Sequence, residues 1–284
     1  MTGTLYIVAT PVGNLEDISQ RALRTLRQVD LVACEDTRRT RVLLNHFGIK
    51  TKTVSYHEHN ERARAAELCE QIESGRNVAL VSDAGTPLIS DPGFRIVQAA
   101  IETNIPIVPI PGPTALVAAL VASGLPSDQF FFNGFLPARA NARRAKLEEV
   151  RSIPATLVFY EAPHRIATTL KTALEVLGNR RAVVARELTK LHEEIVRGSL
   201  SELTKRFSGD MTARGEMVLV ISGVAHELTA GVESSPRDLV ARVSKLEEEG
   251  LDAKTALKQA ARELGLKRAE AYRLLVAQKN RRSK

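Results

Sequence analysis

The chain has 284 residues, 44% of them hydrophobic and 26% charged, a balance that excludes a disordered chain and suits one large or two medium soluble domains. No apolar run approaches the roughly 20 residues of a membrane helix, and the opening MTGTLYIVAT enters a strand without a basic leader, so neither a membrane association nor a secretory signal is expected. Forty Lys and Arg against 33 Asp and Glu leave a net charge of +7, which favours a polyanionic partner.

That charge is uneven. From Glu233 onward there are 13 basic and 8 acidic residues, so the last fifth of the chain holds most of the excess. Cys34 and Cys69 are the only cysteines, too few for a disulfide scaffold and suited to a reducing, cytoplasmic setting.

The first half alternates two periodicities. Short β-branched runs predict strands at Leu5–Ala9, Leu31–Cys34, Thr53–Ser55, Val78–Val81 and Ile107–Ile110. Helical spacing lies between them at Ile18–Gln28, Thr40–His46, Glu61–Ser74 and Phe94–Thr103, and again at Thr114–Ala122. This rhythm is that of an α/β domain with a largely parallel sheet, predicted over residues 1–124.

In such a sheet the loops leaving the strands converge on one rim. Four of them are chemically unusual: the segment from Thr10 to Ile18, then Glu35-Asp36-Thr37-Arg38, then Ser82 to Gly93, then Pro111-Gly112-Pro113-Thr114-Ala115. The third says Ser-Asp twice and ends each repeat in glycine, while Pro87 and Pro92 stiffen it. A plain strand-to-helix connection needs only about 2–6 residues, so this loop reads as a ligand loop. Glu35-Asp36-Thr37-Arg38 reads equally as a helix N-terminus complementing its dipole and as a substrate-facing acid cluster whose arginine meets phosphate.

At Ser123 to Pro137 turn residues and the run Phe130-Phe131-Phe132 mark a boundary, and a second α/β domain is predicted over 125–225. Strands are expected from Phe130 and at Thr156–Tyr160, Ala182–Ala185, Glu193–Arg197 and Met217–Ile221, with short connections that favour antiparallel pairing. Helices are expected at Arg143–Val150, Arg165–Leu177 and Glu202–Phe207. Charged clusters again follow strands, at Glu161 to Arg165 and at Arg186-Glu187-Leu188-Thr189-Lys190. The remainder, 226–284, reads as a linker at Leu228–Ser235 and three helices, Pro236–Glu249, Asp252–Leu264 and Arg268–Lys279, the last two joined by a turn of helix-turn-helix character.

Familiar fingerprints are missing: no G-x-G-x-x-G, G-x-x-x-x-G-K-[ST] or G-x-S-x-G occurs. His57-Glu58-His59 offers two imidazoles without a third ligand at a sensible spacing, so no metal is expected.

Taken together, Ala9 to Leu15, Ala33 to Arg38, Val81 to Gly93, Pro111 to Thr114, Phe159 to Arg165 and Arg186 to Lys190 resemble the tetrapyrrole methylase superfamily. The resemblance is closest to its ribosomal RNA branch, which methylates a cytidine ribose 2′-oxygen in 16S rRNA. It implies a two-domain tetrapyrrole-methylase-like α/β fold, with a parallel-sheet N-domain and a mixed-sheet second domain, followed by a small C-terminal helical segment. It also implies S-adenosyl-L-methionine as cofactor between the domains, the 30S subunit or its 16S rRNA as partner, and a homodimer.

Carried onto this chain, the cofactor contacts are Pro11, then Ser82, Asp83, Ala84, Gly85, Leu88 and Ile89, then Pro111, Gly112, Pro113, Thr114 and Ala115. From the second domain come Tyr160, Glu216 and Met217. Where the wider superfamily often has Gly-Asp-Pro, this chain has Ser-Asp-Ala-Gly, which fits the RNA branch. A ribose hydroxyl is a poor nucleophile and needs a base; Glu35, Asp36 and Glu187 are the candidates. Arg38, Arg165, Arg186 and Lys190, with Lys267 and Arg268 in the tail, are candidates for RNA contact. A tetrapyrrole C-methyltransferase and a non-catalytic RNA-binding module are the alternatives.

Overall fold

In the computed structural model, residues 1–208, 215–224 and 236–263 are described, with positions 271, 273 and 275. Contacts divide the chain into two compact units, Met1–Gly223 and Val224–Lys284. Both predicted α/β domains therefore belong to one unit. Within it lie two five-stranded sheets.

The first sheet comprises β1 (Leu5–Val8), β2 (Leu31–Cys34), β3 (Lys52–Ser55), β4 (Val78–Val81) and β5 (Ile107–Ile110), in the order β3-β2-β4-β1-β5. Every pair is parallel, and Cys34, Val81, Val8 and Ile110 form one row of partners. The four unusual loops therefore leave the sheet at one level. β4 is buried at all four positions, as expected of a central parallel strand covered on both faces.

The covering helices are α1 (Gln20–Gln28), α2 (Thr37–His46), α3 (Glu61–Glu73), α4 (Phe94–Glu102) and α5 (Ala115–Ser123). Two of their starts differ from expectation because side-chain caps decide them. Ser19 accepts a hydrogen bond from the Ala22 amide, so α1 begins after it. A short 3-10 turn at Leu15–Asp17 precedes it, capped by Asn14. Asp36 accepts from the Arg38 amide at 2.8 Å and starts α2 three residues earlier than predicted.

The second sheet has β6 (Phe130–Phe135), β7 (Thr156–Glu161), β8 (Arg181–Arg186), β9 (Glu194–Ser199) and β10 (Met217–Ile221), ordered β6-β7-β10-β8-β9. All pairings are antiparallel except β6 with β7. Helices α6 (Ala140–Val150), α7 (Ile166–Leu177) and α8 (Leu200–Arg206) accompany it. Ser199 and Glu202 make a reciprocal capping box, which ends β9 and opens α8 two residues before the apolar spacing alone suggests.

One face of this sheet, through Val158, Val183, Ala185, Val218 and Val220, packs on Leu116, Ala119 and Leu120 of α5. Helix α5 thus joins the two halves, with its start at the Pro111 to Thr114 loop after β5.

In the second unit, α9 (Pro236–Glu248) and α10 (Ala253–Glu263) bury Leu239, Val243 and Leu246 against Ala256, Ala260 and Ala261. The predicted linker at 228–235, the turn at 264–267 and the residues Lys267 and Arg268 lie outside the described residues.

Candidate active site

The loop after β4 is the scaffold of the site. Thr10, just past β1, exchanges backbone hydrogen bonds with Gly85 (2.8 and 3.0 Å). The Thr10 hydroxyl also donates to the Ser82 carbonyl at 3.1 Å. Ser82 is buried, and its hydroxyl donates to the Gly85 carbonyl at 3.1 Å. Gly85 takes φ +84°, a region a side chain would strain. On the other flank, the Thr86 hydroxyl donates to the Pro113 carbonyl at 3.1 Å and meets the Thr114 hydroxyl at 2.6 Å.

These ties shape a cavity of about 240 Å³. From the first sheet it collects Val12, Glu35, Asp83, Ala84, Gly85 and Ile89, with Ala115 at the head of α5. From the second it collects Tyr160, Glu216 and Met217. A second hollow, about 410 Å³, shares Val12 and is lined by Gly112, Pro113, Thr114, Leu188 and Thr189. The first is smaller than the roughly 300–1,000 Å³ of a typical ligand site, and the second falls within that range.

Of the expected cofactor contacts, Pro11, Ser82, Leu88 and Pro111 line neither hollow. Ser82 acts from behind through the loop bonds above. Leu88, at φ +72°, packs into the core beneath the loop, and a Cβ on Gly93 would meet it at 2.8 Å.

The cavity is acidic. Glu35, Asp83, Asp91 and Glu216 all line it, with Arg39 as the cation among its lining residues. Asp83 accepts from the Asp36 amide at 3.1 Å and pairs with Arg39 at 3.3 Å. Burial, then Glu35, pushes Asp91 up to about 7. Burial and Asp83 likewise raise Glu35. Neighbouring negative charge thus disfavours ionisation of Asp91 and of Glu35. Burial also raises Tyr160 to about 12, so it enters any chemistry here as a neutral phenol.

The three candidate bases separate. Glu35 lines the cavity. Asp36 caps α2 and pairs with Arg38 at 3.1 Å, which holds its carboxyl below the usual range. Glu187, itself at φ +50°, pairs with Lys190 at 2.8 Å and packs where Gly215 would carry a Cβ.

The candidate RNA contacts also separate. Arg38 is exposed at the start of α2. Arg165 is committed to Glu161 at 3.1 Å, a carboxylate with no side-chain exposure. Arg186 pairs with Glu194 at 2.6 Å.

Arg39, Thr86, Asp91 and Phe135 line the cavity without standing among the site residues chosen from sequence. The second Ser-Asp of the loop marks Asp91, and the Arg38-Arg39 pair marks Arg39. Phe135 belongs to the phenylalanine-rich run from Phe130, which in the sequence marks a domain boundary and not a site. Among the described residues, no group of three or more His, Cys, Asp or Glu has metal-holding geometry.

A parallel and a mixed sheet joined by one helix, with strand-end loops around a shared cavity, define a methylase class of α/β fold. Its solved members include a uroporphyrin-III C-methyltransferase from Thermus thermophilus, with TM-score 0.56 and 22% identity over 78% of this chain and 94% of that one. A diphthine synthase superposes with TM-score 0.57 and 19% identity, over 78% of this chain and 90% of its own.

The chain belongs to the tetrapyrrole (corrin/porphyrin) methylase family, whose pattern it matches over residues 4–204. It is 47% identical over 276 residues to the ribosomal RNA small subunit methyltransferase I of Halalkalibacterium halodurans, covering 96% of this chain and 94% of that protein. The Escherichia coli O157:H7 protein of the same name is 46% identical over 97% of this chain and 96% of its own length.

Proposed function

We propose that this chain is an S-adenosyl-L-methionine-dependent methyltransferase acting on the ribose 2′-oxygen of a cytidine in 16S rRNA of the small ribosomal subunit. The acidic cavity carries the reading. Four carboxyl groups on its wall suit a cationic sulfonium. The full-length relatives named for rRNA methylation support it, as does one solved structure of this fold complexed with S-adenosylhomocysteine.

The residues present fit the cofactor. Carboxylates offer partners for its positive charges, the Thr86 and Thr114 hydroxyls and the Gly85 turn offer polar contacts, and Val12, Ile89 and Met217 offer an apolar wall. The cofactor supplies an electrophilic methyl group on sulfur. The protein's part is alignment and proton removal. We assign the base to Glu35 coupled with Asp91, because both line the cavity and Glu35 raises Asp91. The near-neutral proton affinity of Asp91 suits a general base at physiological pH.

The homodimer fits α5, apolar on every face, whose Val121 is 72% exposed; light scattering would test it. A cytoplasmic setting fits two buried free cysteines. Among the described residues no helix is long and apolar enough to cross a membrane.

Labelled S-adenosylmethionine supplied with undermodified 30S subunits, naked 16S rRNA or uroporphyrinogen tests the reading. Label in a cytidine 2′-O-methyl group supports it. Label on the porphyrin overturns it, and RNA binding without transfer leaves only a binding module.

A further inference from the structure

The parallel ladder between β6 and β7 is broken. Phe130, Phe131 and Phe132 pair with Thr156, Leu157 and Val158, but Phe135 pairs with Tyr160. Two residues, Asn133 and Gly134, thus oppose the single residue Phe159. Gly134 takes φ +60°, the left-handed region where a side chain is disfavoured. A bulge of this kind re-aims the side chains beyond it and is over-represented beside active sites.

The consequence falls on Phe135. Residues three apart in a regular strand face opposite sides. Here Phe132 and Phe135 both meet the Tyr160 ring, with centroids 4.9 and 5.5 Å away. Phe132 is packed against the core around α5. Phe135 instead lines the cavity and remains 54% exposed, so Tyr160 covers only part of its ring. The bulge also touches the ligand loop, since a Cβ on Gly134 would lie 3.1 Å from the Ser90 Oγ. An aromatic ring left half in water contributes little to folding, yet the backbone is bent to put it there.

A cavity of about 240 Å³ cannot admit paired, stacked RNA. A nucleotide reaching it must be splayed out, and splayed bases are held on aromatic faces. We propose that Phe135 is the stacking platform for the nucleobase of the target nucleotide, a contact to the substrate and not to the cofactor. The proposal rests on the RNA reading above.

Four variants test it: Phe135→Ala, Phe135→Leu, Phe135→Tyr and Phe135→Trp. Two quantities are read, cofactor affinity by calorimetry, and kcat and KM on undermodified 30S subunits. Loss of one base–aromatic stack weakens binding by about 5- to 150-fold. Phe135→Ala and Phe135→Leu are expected to raise KM within that range while cofactor affinity stays within about twofold, a limit well below one lost stack. Phe135→Tyr and Phe135→Trp, which keep a flat ring, are expected to restore KM.

A Leu variant equal to wild type would reduce Phe135 to apolar packing and overturn the proposal. So would a fall in cofactor affinity matching the rise in KM. Leu preserves bulk, so a folding failure of the Ala variant does not decide the outcome. If the wild-type protein methylates uroporphyrinogen and no RNA, the functional reading itself has failed, and that result appears before any variant is made.

Discussion

The hydroxyls of Thr86 and Thr114 lie 2.6 Å apart, a side-chain tie between the loop after β4 and the loop after β5. Thr86 donates to the Pro113 carbonyl, so the proton in the shared contact comes from Thr114. Each such bond contributes about 0.5–1.5 kcal/mol net. Thr86→Val removes both and Thr114→Val one. The first is expected to lower unfolding free energy by about 1–3 kcal/mol, roughly twice the effect of the second, and to weaken cofactor binding more. Urea denaturation and calorimetry check the order; equal effects would mean that the tie does not act as a unit.

The coupled acids predict a pH dependence. Asp91 sits near 7 in the folded protein, well above its ordinary value of 3.8. Its contribution to stability is therefore full below about 4 and lost as pH rises through about 7. Asp91→Asn is expected to match wild type below about pH 4 and to melt higher than wild type at pH 8, with the difference opening between about 4 and 7. A constant offset at all pH values would contradict the assignment.

Catalysis carries the same signature. The rate on RNA is expected to rise through about pH 7 as the Glu35–Asp91 pair loses its proton. Glu35→Gln removes a charge that raises Asp91, so any residual activity should show its rising limb at lower pH. An unmoved limb would separate the two acids.

Arg165 was a candidate for RNA contact, and its position predicts a structural role. Glu161 carries no side-chain exposure and is held by Arg165, by the Thr169 hydroxyl at 2.6 Å and by the Ala162 amide at 2.8 Å. Removing one partner of a buried pair costs about 3–5 kcal/mol. Arg165→Ala should lose stability on that scale while the folded protein keeps its RNA affinity. Weaker RNA binding at unchanged stability would restore the phosphate role.

The basic C-terminal unit predicts a salt effect. Deleting 233–284 removes 13 basic residues, and the Met1–Gly223 unit holds the whole cavity. Cofactor affinity should persist, while RNA binding weakens and its dependence on salt flattens. An unchanged salt slope would free the tail of any part in RNA binding.

Much of this protein was legible without coordinates because its information is local. Alternating periods located both sheets, since burial on two faces demands continuous apolar runs such as Val78 to Val81. Caps were less legible: Asp36 read equally as cap and as site residue, and it is Glu35 beside it that reaches the cavity.

The ligand loop, its glycines and its acids were readable as residues, and their family likeness named the chemistry. Which acids line one cavity, which arginines are already paired, and where Phe135 points depend on residues brought together from distant parts of the chain. Burial set by the whole fold raises Asp91, and a backbone bulge at Gly134 turns Phe135. Neither leaves a periodic trace, because a desolvated pocket and a register shift exist only once both sheets have formed.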